Sequence, residues 1–219
     1  MKKVLAAVFA LAGVSGATSA LAEDGLYLRA DTGWSLSRDA GQDVNDDVGS
    51  SPIVGGGIGY KYKAFRGDLT LAYRGGYDID TNATYPVLGN THFDGDVSSL
   101  ALMANAYVDI TKYGRFTPYV GGGIGVSRNK VSDTDITTAL GATGSLDGAT
   151  KTSLAWQLSA GTGIEVAPHW TVDLGYRYID LGTAKSGDTL NEAGTTSSVN
   201  PLKGDLRAHE AILSARYKF

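Results

Sequence analysis

The sequence predicts an all-β chain, an eight-stranded antiparallel up-and-down transmembrane β-barrel with short periplasmic turns and four long extracellular loops. Three observations predict it: apolar and polar residues alternate at period two, short and long connections alternate along the chain, and outward aromatics gather in two bands. The last strand shows the first of these most plainly. Counting back from the carboxyl terminus, Phe219, Tyr217, Ala215, Leu213 and Ala211 share one face, and Lys218, Arg216, Ser214, Ile212 and Glu210 share the other. Successive strand residues point to opposite sides, so the two faces meet unlike surroundings.

The chain opens with Lys2 and Lys3, an apolar run from Val4 to Val14, and Ala20-Leu21-Ala22. This is the pattern of a secretory signal peptide over residues 1–22, with a mature barrel over 23–219. The apolar run is far shorter than the ~20 residues a membrane-spanning helix requires. The mature part carries 17 Lys and Arg against 23 Asp and Glu, which excludes nucleic acid as a natural partner. There is no cysteine, so an exported chain of this length must be held by something other than disulfides. Thirty glycines and twelve tyrosines against five prolines favour strands and turns.

Eight alternating segments follow in order: Gly25–Trp34, Val54–Tyr62, Phe65–Arg74, Ser99–Ile110, Phe116–Val126, Leu154–Val166, Trp170–Ile179 and Ala208–Phe219. Most have the ~9–11 residues with which a tilted strand crosses a bilayer. Segments two and three join through Lys63-Ala64, four and five through Thr111–Arg115, six and seven through Ala167–His169. The other connections, Ser35–Ile53, Gly75–Ser98, Ser127–Ser153 and Asp180–Arg207, are long and rich in Gly, Asp, Asn, Ser and Thr, and are read as solvated loops. A Greek-key sandwich would not sort its connections this way.

The charges supply an independent test once the faces are set by apolar residues. Arg29, Asp31, Lys61, Arg66, Asp68, Arg74, Asp109, Glu165, Asp173, Arg177, Glu210, Arg216 and Lys218 all share the less apolar face, the expected lumen. Seven basic and six acidic groups in so narrow a space should pair and plug it, since an unpaired buried charge is costly. Arg207 would point outward at the loop margin. Outward aromatics form two expected girdles: Trp34, Tyr73, Trp156, Tyr176 and Tyr178 toward the long loops, and Tyr60, Tyr62, Phe65, Phe116, Trp170, Tyr217 and Phe219 toward the short turns.

Two glycine-rich stretches, Ser51-Pro52-Ile53-Val54-Gly55-Gly56-Gly57-Ile58-Gly59 and Thr117-Pro118-Tyr119-Val120-Gly121-Gly122-Gly123-Ile124-Gly125, repeat one another. Neither completes a dinucleotide-binding fingerprint or opens a helix. Their lumen-facing glycines make room for large inward side chains such as Tyr27, Arg29 and Tyr107. Together with Val172–Gly182 and the terminal Arg216-Tyr217-Lys218-Phe219, these stretches resemble the opacity-type outer-membrane β-barrel family, like the alphaproteobacterial outer-membrane surface antigens. The resemblance implies an eight-stranded barrel in a Gram-negative outer membrane, with Tyr217 and Phe219 in the terminal signal read by the barrel-assembly machinery. It transfers no ligand.

Chemistry is sparse. Of three histidines, His169 lies in a short turn, His92 in the second long loop, and His209 faces outward near the end of the last strand beside Asp180. No outward serine on an adjacent strand completes a nucleophilic set there, which weighs against a lipid A-modifying enzyme. The run Asp43-Val44-Asn45-Asp46-Asp47-Val48-Gly49 begins like a calcium loop, then places Gly at position seven and Val54 at position twelve. The sequon Asn82-Ala83-Thr84 has no expected meaning in a bacterial chain. No catalytic residue, metal or cofactor is expected, and an eight-stranded interior is too narrow for an aqueous pore. The expected partners are outer-membrane lipid and lipopolysaccharide, the assembly machinery, and a host or cell-surface ligand reached through the loops.

Overall fold

The computed structural model describes residues 24–37, 49–85, 89–138, 143–185, 187–192, 195–198 and 203–219. The expected signal peptide and most of the calcium-like run fall outside them. Alternating segments give eight long antiparallel strands: β1 (Gly25–Ser37), β2 (Ser50–Tyr62), β3 (Phe65–Tyr85), β4 (Gly89–Asp109), β5 (Phe116–Val131), β8 (Ala149–Ala167), β9 (Trp170–Lys185) and β12 (Lys203–Lys218). Each pairs with its neighbour in sequence, β1 pairs with β12, and β4 pairs with β5, so the sheet closes. Closure satisfies the backbone of every strand without leaving an edge inside a membrane. Lys63 and His169 take up positive φ in two of the short turns.

Four short strands, β6 (Thr134–Thr138), β7 (Thr143–Leu146), β10 (Thr189–Glu192) and β11 (Thr195–Ser198), lie within the long connections. The long connections, read as solvated loops, thus carry short strands of their own. The outer arm of β4 pairs with β6, and the ladder continues through β7 and β10 to β11. Likewise β3 and β4 continue as a ribbon from Asp78 opposite Asp96 to Tyr85 opposite Gly89. Polar residues such as Asp78, Asp80, Thr81 and Asn82 fall on both strand parities here. The backbone pairing persists without the pattern that would reveal it.

The register fixes the geometry of the barrel. Following one hydrogen-bonded row from Trp34 leads through Ala211, Tyr176, Ala160, Val120, Val108 and Phe65 to Tyr62 on β2. Trp34 itself pairs with Pro52 on the same strand. Positions 62 and 52 differ by ten, so eight strands close with a shear of ten, and a row falls by about 1.25 residues per strand. On that scale Trp34, Tyr73, Trp156 and Tyr178 stand at one height, within about one residue's rise of each other. Tyr176 sits two residues further in. The seven aromatics at the other end form a second band about 20 Å away, measured along the barrel axis.

Glycines on the inner face let the lumen fill. A Cβ on Gly121 would strike the Tyr107 ring, one on Gly59 the Tyr27 ring, and one on Gly123 the Asn105 amide. Gly123→Val is therefore expected to destabilise the barrel by about 1–3 kcal/mol. Reversible urea unfolding would measure it, and an unchanged midpoint would mean that the lumen has spare room at that level.

Candidate functional site

Inward parity brings charged residues of seven of the eight long strands into one column, β5 contributing none, and the structure sorts them into layers. Toward the short turns, Asp109 receives both Arg66 Nε at 2.9 Å and Lys61 Nζ at 3.3 Å, and Arg216 Nη2 holds Asp173 Oδ1 at 2.8 Å. The Arg66 guanidinium lies over the Tyr107 and Tyr119 rings, 4.9 and 4.7 Å from their centroids. A cavity of about 440 Å³ opens here to the periplasmic end, lined among others by Lys61, Asp109, Arg115, Arg216 and Lys218.

In the middle, Arg29 bridges Asp68 at 2.7 Å and Asp31 at 2.9 Å. Tyr27 donates to Asp68 at 3.0 Å, Asn105 Nδ2 donates to its other oxygen at 2.8 Å, and Gln157 Nε2 donates to Asn105 at 2.6 Å. Toward the long connections, Glu210 accepts from Arg74 at 2.6 and 3.2 Å, from Arg177 on the neighbouring strand, and from Ser35 at 3.1 Å. Each buried carboxylate is thus met by at least one cation, the condition under which charge can persist in a low-dielectric interior.

Glu165 stands at the mouth of the expected lumen set. Its side chain is 50% exposed at the rim and pairs with Lys112 at 2.7 Å, a partner in the short connection that strand parity could not supply. Glu165 stays in register opposite Thr171, ahead of the slip that precedes Ala167, and lines the cavity at the mouth of the lumen.

The lumen does not end on charge. At its outer end Tyr77, Val97, Ala101, Met103, Val131, Ala155, Ile179, Leu181, Leu206 and Ala208 pack into a buried apolar cluster. Tyr77 joins the two regions, its hydroxyl 2.7 Å from Ser35 Oγ. Tyr77, Val97, Leu181 and Leu206 were invisible as lumen residues because they fall in stretches read as loops. Their parity, continued outward from Arg74, Ser99, Ile179 and Ala208, was the available signal. Bulges complicate it: the register slips between Arg74 and Tyr77, and between Asp205 and Arg207, where Gly182 takes φ 70°.

The outer face carries the aromatics. Trp34, Tyr60, Tyr62, Phe65, Tyr73, Phe116, Trp156, Tyr176 and Phe219 are exposed, and Trp170, Tyr178 and Tyr217 are half-buried against other rings. Trp170 and Tyr217 have centroids 5.1 Å apart, Tyr217 and Phe219 5.4 Å, and Trp156 and Tyr178 5.5 Å. His209 packs between Tyr176 and Tyr178 and shares a hydrogen bond with the Tyr176 hydroxyl. Asp180, the expected acidic neighbour, is taken by Arg207 at 3.0 Å and by the Gly182 amide at 2.8 Å. The pair His209 and Asp180 is therefore not assembled as an orienting dyad. His169 instead contacts the Lys218 carbonyl at 2.9 Å. Among the described residues no group of His, Asp and Glu is placed to hold a metal ion.

Residues 4–219 match a family described as outer membrane protein beta-barrel domain. A Rickettsia canadensis protein named "putative adhesin" is 30% identical over 234 residues, spanning 99% of this chain and 99% of its own. A Rickettsia prowazekii protein of the same description is 28% identical over 212 residues, covering 90% and 92% of the two chains. Among solved structures, Neisserial surface protein A is similar in fold, with a TM-score of 0.60 at 18% identity over 89% of this chain and 97% of that one.

Proposed function

The chain belongs to the outer membrane protein beta-barrel family and resides in the outer membrane of a Gram-negative bacterium, and from that premise we propose that it is a non-catalytic scaffold presenting an adhesive surface. The observation that carries this reading is the ladder from β4 through β6, β7 and β10 to β11, which joins three of the four long connections into one sheet beyond the barrel. A sheet assembled from several connections offers a broad platform for a host or cell-surface ligand, whereas separate loops would each have to be ordered on binding. The adhesin-named relatives, similar over nearly their whole length, support the same reading.

Beneath that platform the paired charges and the apolar cluster favour a sealed scaffold over a conducting pore. The two aromatic bands fit the lipid–water boundaries, and Tyr217 and Phe219 fit a terminal signal for the assembly machinery. Lipopolysaccharide is the natural lateral partner of the outward face, and residues 1–22 would direct export. The absence of an assembled His209–Asp180 pair favours binding over catalysis.

Expression in a non-adherent Gram-negative host tests the adhesive role. Cells displaying the intact chain should bind epithelial cells or matrix above an empty-vector control, and replacement of 132–148 and 186–202 by short Gly-Asn turns should remove that binding while the barrel still shows heat-modifiable migration. Equal adhesion by the trimmed barrel, or none by the intact one, would overturn the reading.

A further inference from the structure

The outward face of the lipid-crossing stretches carries no charge, yet β5 continues past Val126 with Arg128 and Lys130 on that face, both exposed. The barrel's shear sets their height. From Arg207 a hydrogen-bonded row runs through Asp180 and Trp156 to Ile124 on β5, three strands away. A fall of about 1.25 residues per strand places Arg207 level with the fourth residue beyond Ile124, which is Arg128. Arg128 therefore stands about 6 Å outside the ring of Trp34, Tyr73, Trp156 and Tyr178, with Lys130 one further step out. A band that far beyond interfacial aromatics is where lipid headgroup phosphates lie.

The two cations differ from Arg207, which is already engaged by Asp180 at 3.0 Å and by Asp205 at 3.2 Å. Among the described residues neither Arg128 nor Lys130 has an ion-pair partner. Across the ladder Arg128 faces Thr152 and Lys130 faces Thr150, both exposed on the same side. Two cations about 7 Å apart along the strand, with a hydroxyl opposite each, make a surface suited to phosphate oxygens. Inward of them lie Val126 and then Ile124 on β5 and Leu154 on β8, of which Leu154 and Ile124, 83% and 72% exposed, stand out among the large apolar residues facing outward. Charge above and bare aliphatic surface below match an amphiphile whose phosphates sit over several acyl chains.

We propose that Arg128, Lys130, Thr150 and Thr152 form a binding site for the phosphates of lipid A in the outer leaflet, with Ile124 and Leu154 lying against its acyl chains. The site specifies the lipopolysaccharide contact proposed above and is independent of the adhesive role. The panel β5–β8 thereby becomes the face on which the barrel holds a particular lipid, while the β1–β2 side presents Leu36 and Ser50 at the same height.

The full chain refolded in phosphatidylcholine vesicles, titrated with bisphosphorylated lipid A, dephosphorylated lipid A or phosphatidylglycerol, tests this through the shift in its thermal migration midpoint. Bisphosphorylated lipid A should raise the wild-type midpoint. The R128Q/K130Q variant should lose roughly tenfold or more in apparent affinity, as removal of two charge-assisted contacts requires. R207Q should titrate like wild type, and each single variant should fall between. The Arg128 and Lys130 variants should migrate like wild type without lipid A, since both side chains are exposed and have no ion-pair partner among the described residues, and R207Q is compared with its own lipid-free midpoint. Equal titration by the double variant, or an equal response to dephosphorylated lipid A, would overturn the proposal. A matching response to phosphatidylglycerol would overturn lipid A as the ligand. Adhesion of cells carrying the double variant reports on the loop platform separately.

Discussion

Glu210→Gln should lower the folding stability of the barrel by about 3–5 kcal/mol, more than any other single change inside the lumen. The carboxylate is 1% exposed and is shared by Arg74 and Arg177, which approach it from β3 and β9. Glutamine keeps the shape and one acceptor but removes the only negative charge between two buried guanidiniums. Each cation then bears its desolvation cost without compensation, and the apolar cluster around Tyr77 leaves water little access from outside. Urea unfolding followed by tryptophan fluorescence in vesicles would measure the loss. A triple variant, R74M/E210L/R177M, should recover most of it, because an apolar replacement removes the charges along with their partner. A single variant within about 1 kcal/mol of wild type would show that the charge layer is solvated in a way that the burial of these groups does not suggest.

Leu174→Arg should block assembly, at a cost of about 2–4 kcal/mol, while Leu102→Arg should be tolerated at about 0–1 kcal/mol. Both leucines face outward and are comparably exposed, at 50% and 42%. Strand parity alone makes them equivalent. The register separates them: Leu102 pairs with Leu71, two residues inside Tyr73, and the shear sets it level with the outer aromatic ring. Leu174 pairs with Leu213 and falls about midway between the two rings. An arginine near the ring can extend its head to the interface, and one at the midplane cannot. Heat-modifiable migration of the two variants after refolding into vesicles would decide between them. Equal yields would count against the heights assigned from the shear.

The inward and outward faces were legible in the sequence because strand parity is a local property. Arg74, Arg177 and Glu210 could each be assigned inward from their own neighbours. That they converge could not be read, since Glu210 lies 136 positions from Arg74 and 33 from Arg177 in the chain. Glu165 was assigned inward by the same rule and lines the mouth of the lumen, but its partner Lys112 lies in a short connection that parity cannot supply. Leu181 and Leu206 were not assigned. Bulges and polar surroundings ended the visible pattern before the strands themselves ended.

The long connections show the same limit. Their composition fits solvated loops, and it does not reveal the strands Thr134–Thr138 and Thr195–Ser198 within them. Thr195–Ser198 pairs with the adjacent Thr189–Glu192, and Thr134–Thr138 with both nearby Thr143–Leu146 and distant residues 91–94, pairings that no alternation in the sequence marks.

By itself the sequence determined the strand number, the two faces, the ends carrying turns and loops, and the lipid-facing character of the aromatic side, because each follows from alternation and connection length along short stretches. Only the tertiary structure decided the heights of residues around the barrel, the partners in the lumen, the apolar cluster above them, and the joining of the outer connections. Those depend on the shear with which β1 meets β12, and closure of a sheet is a property of all eight strands together.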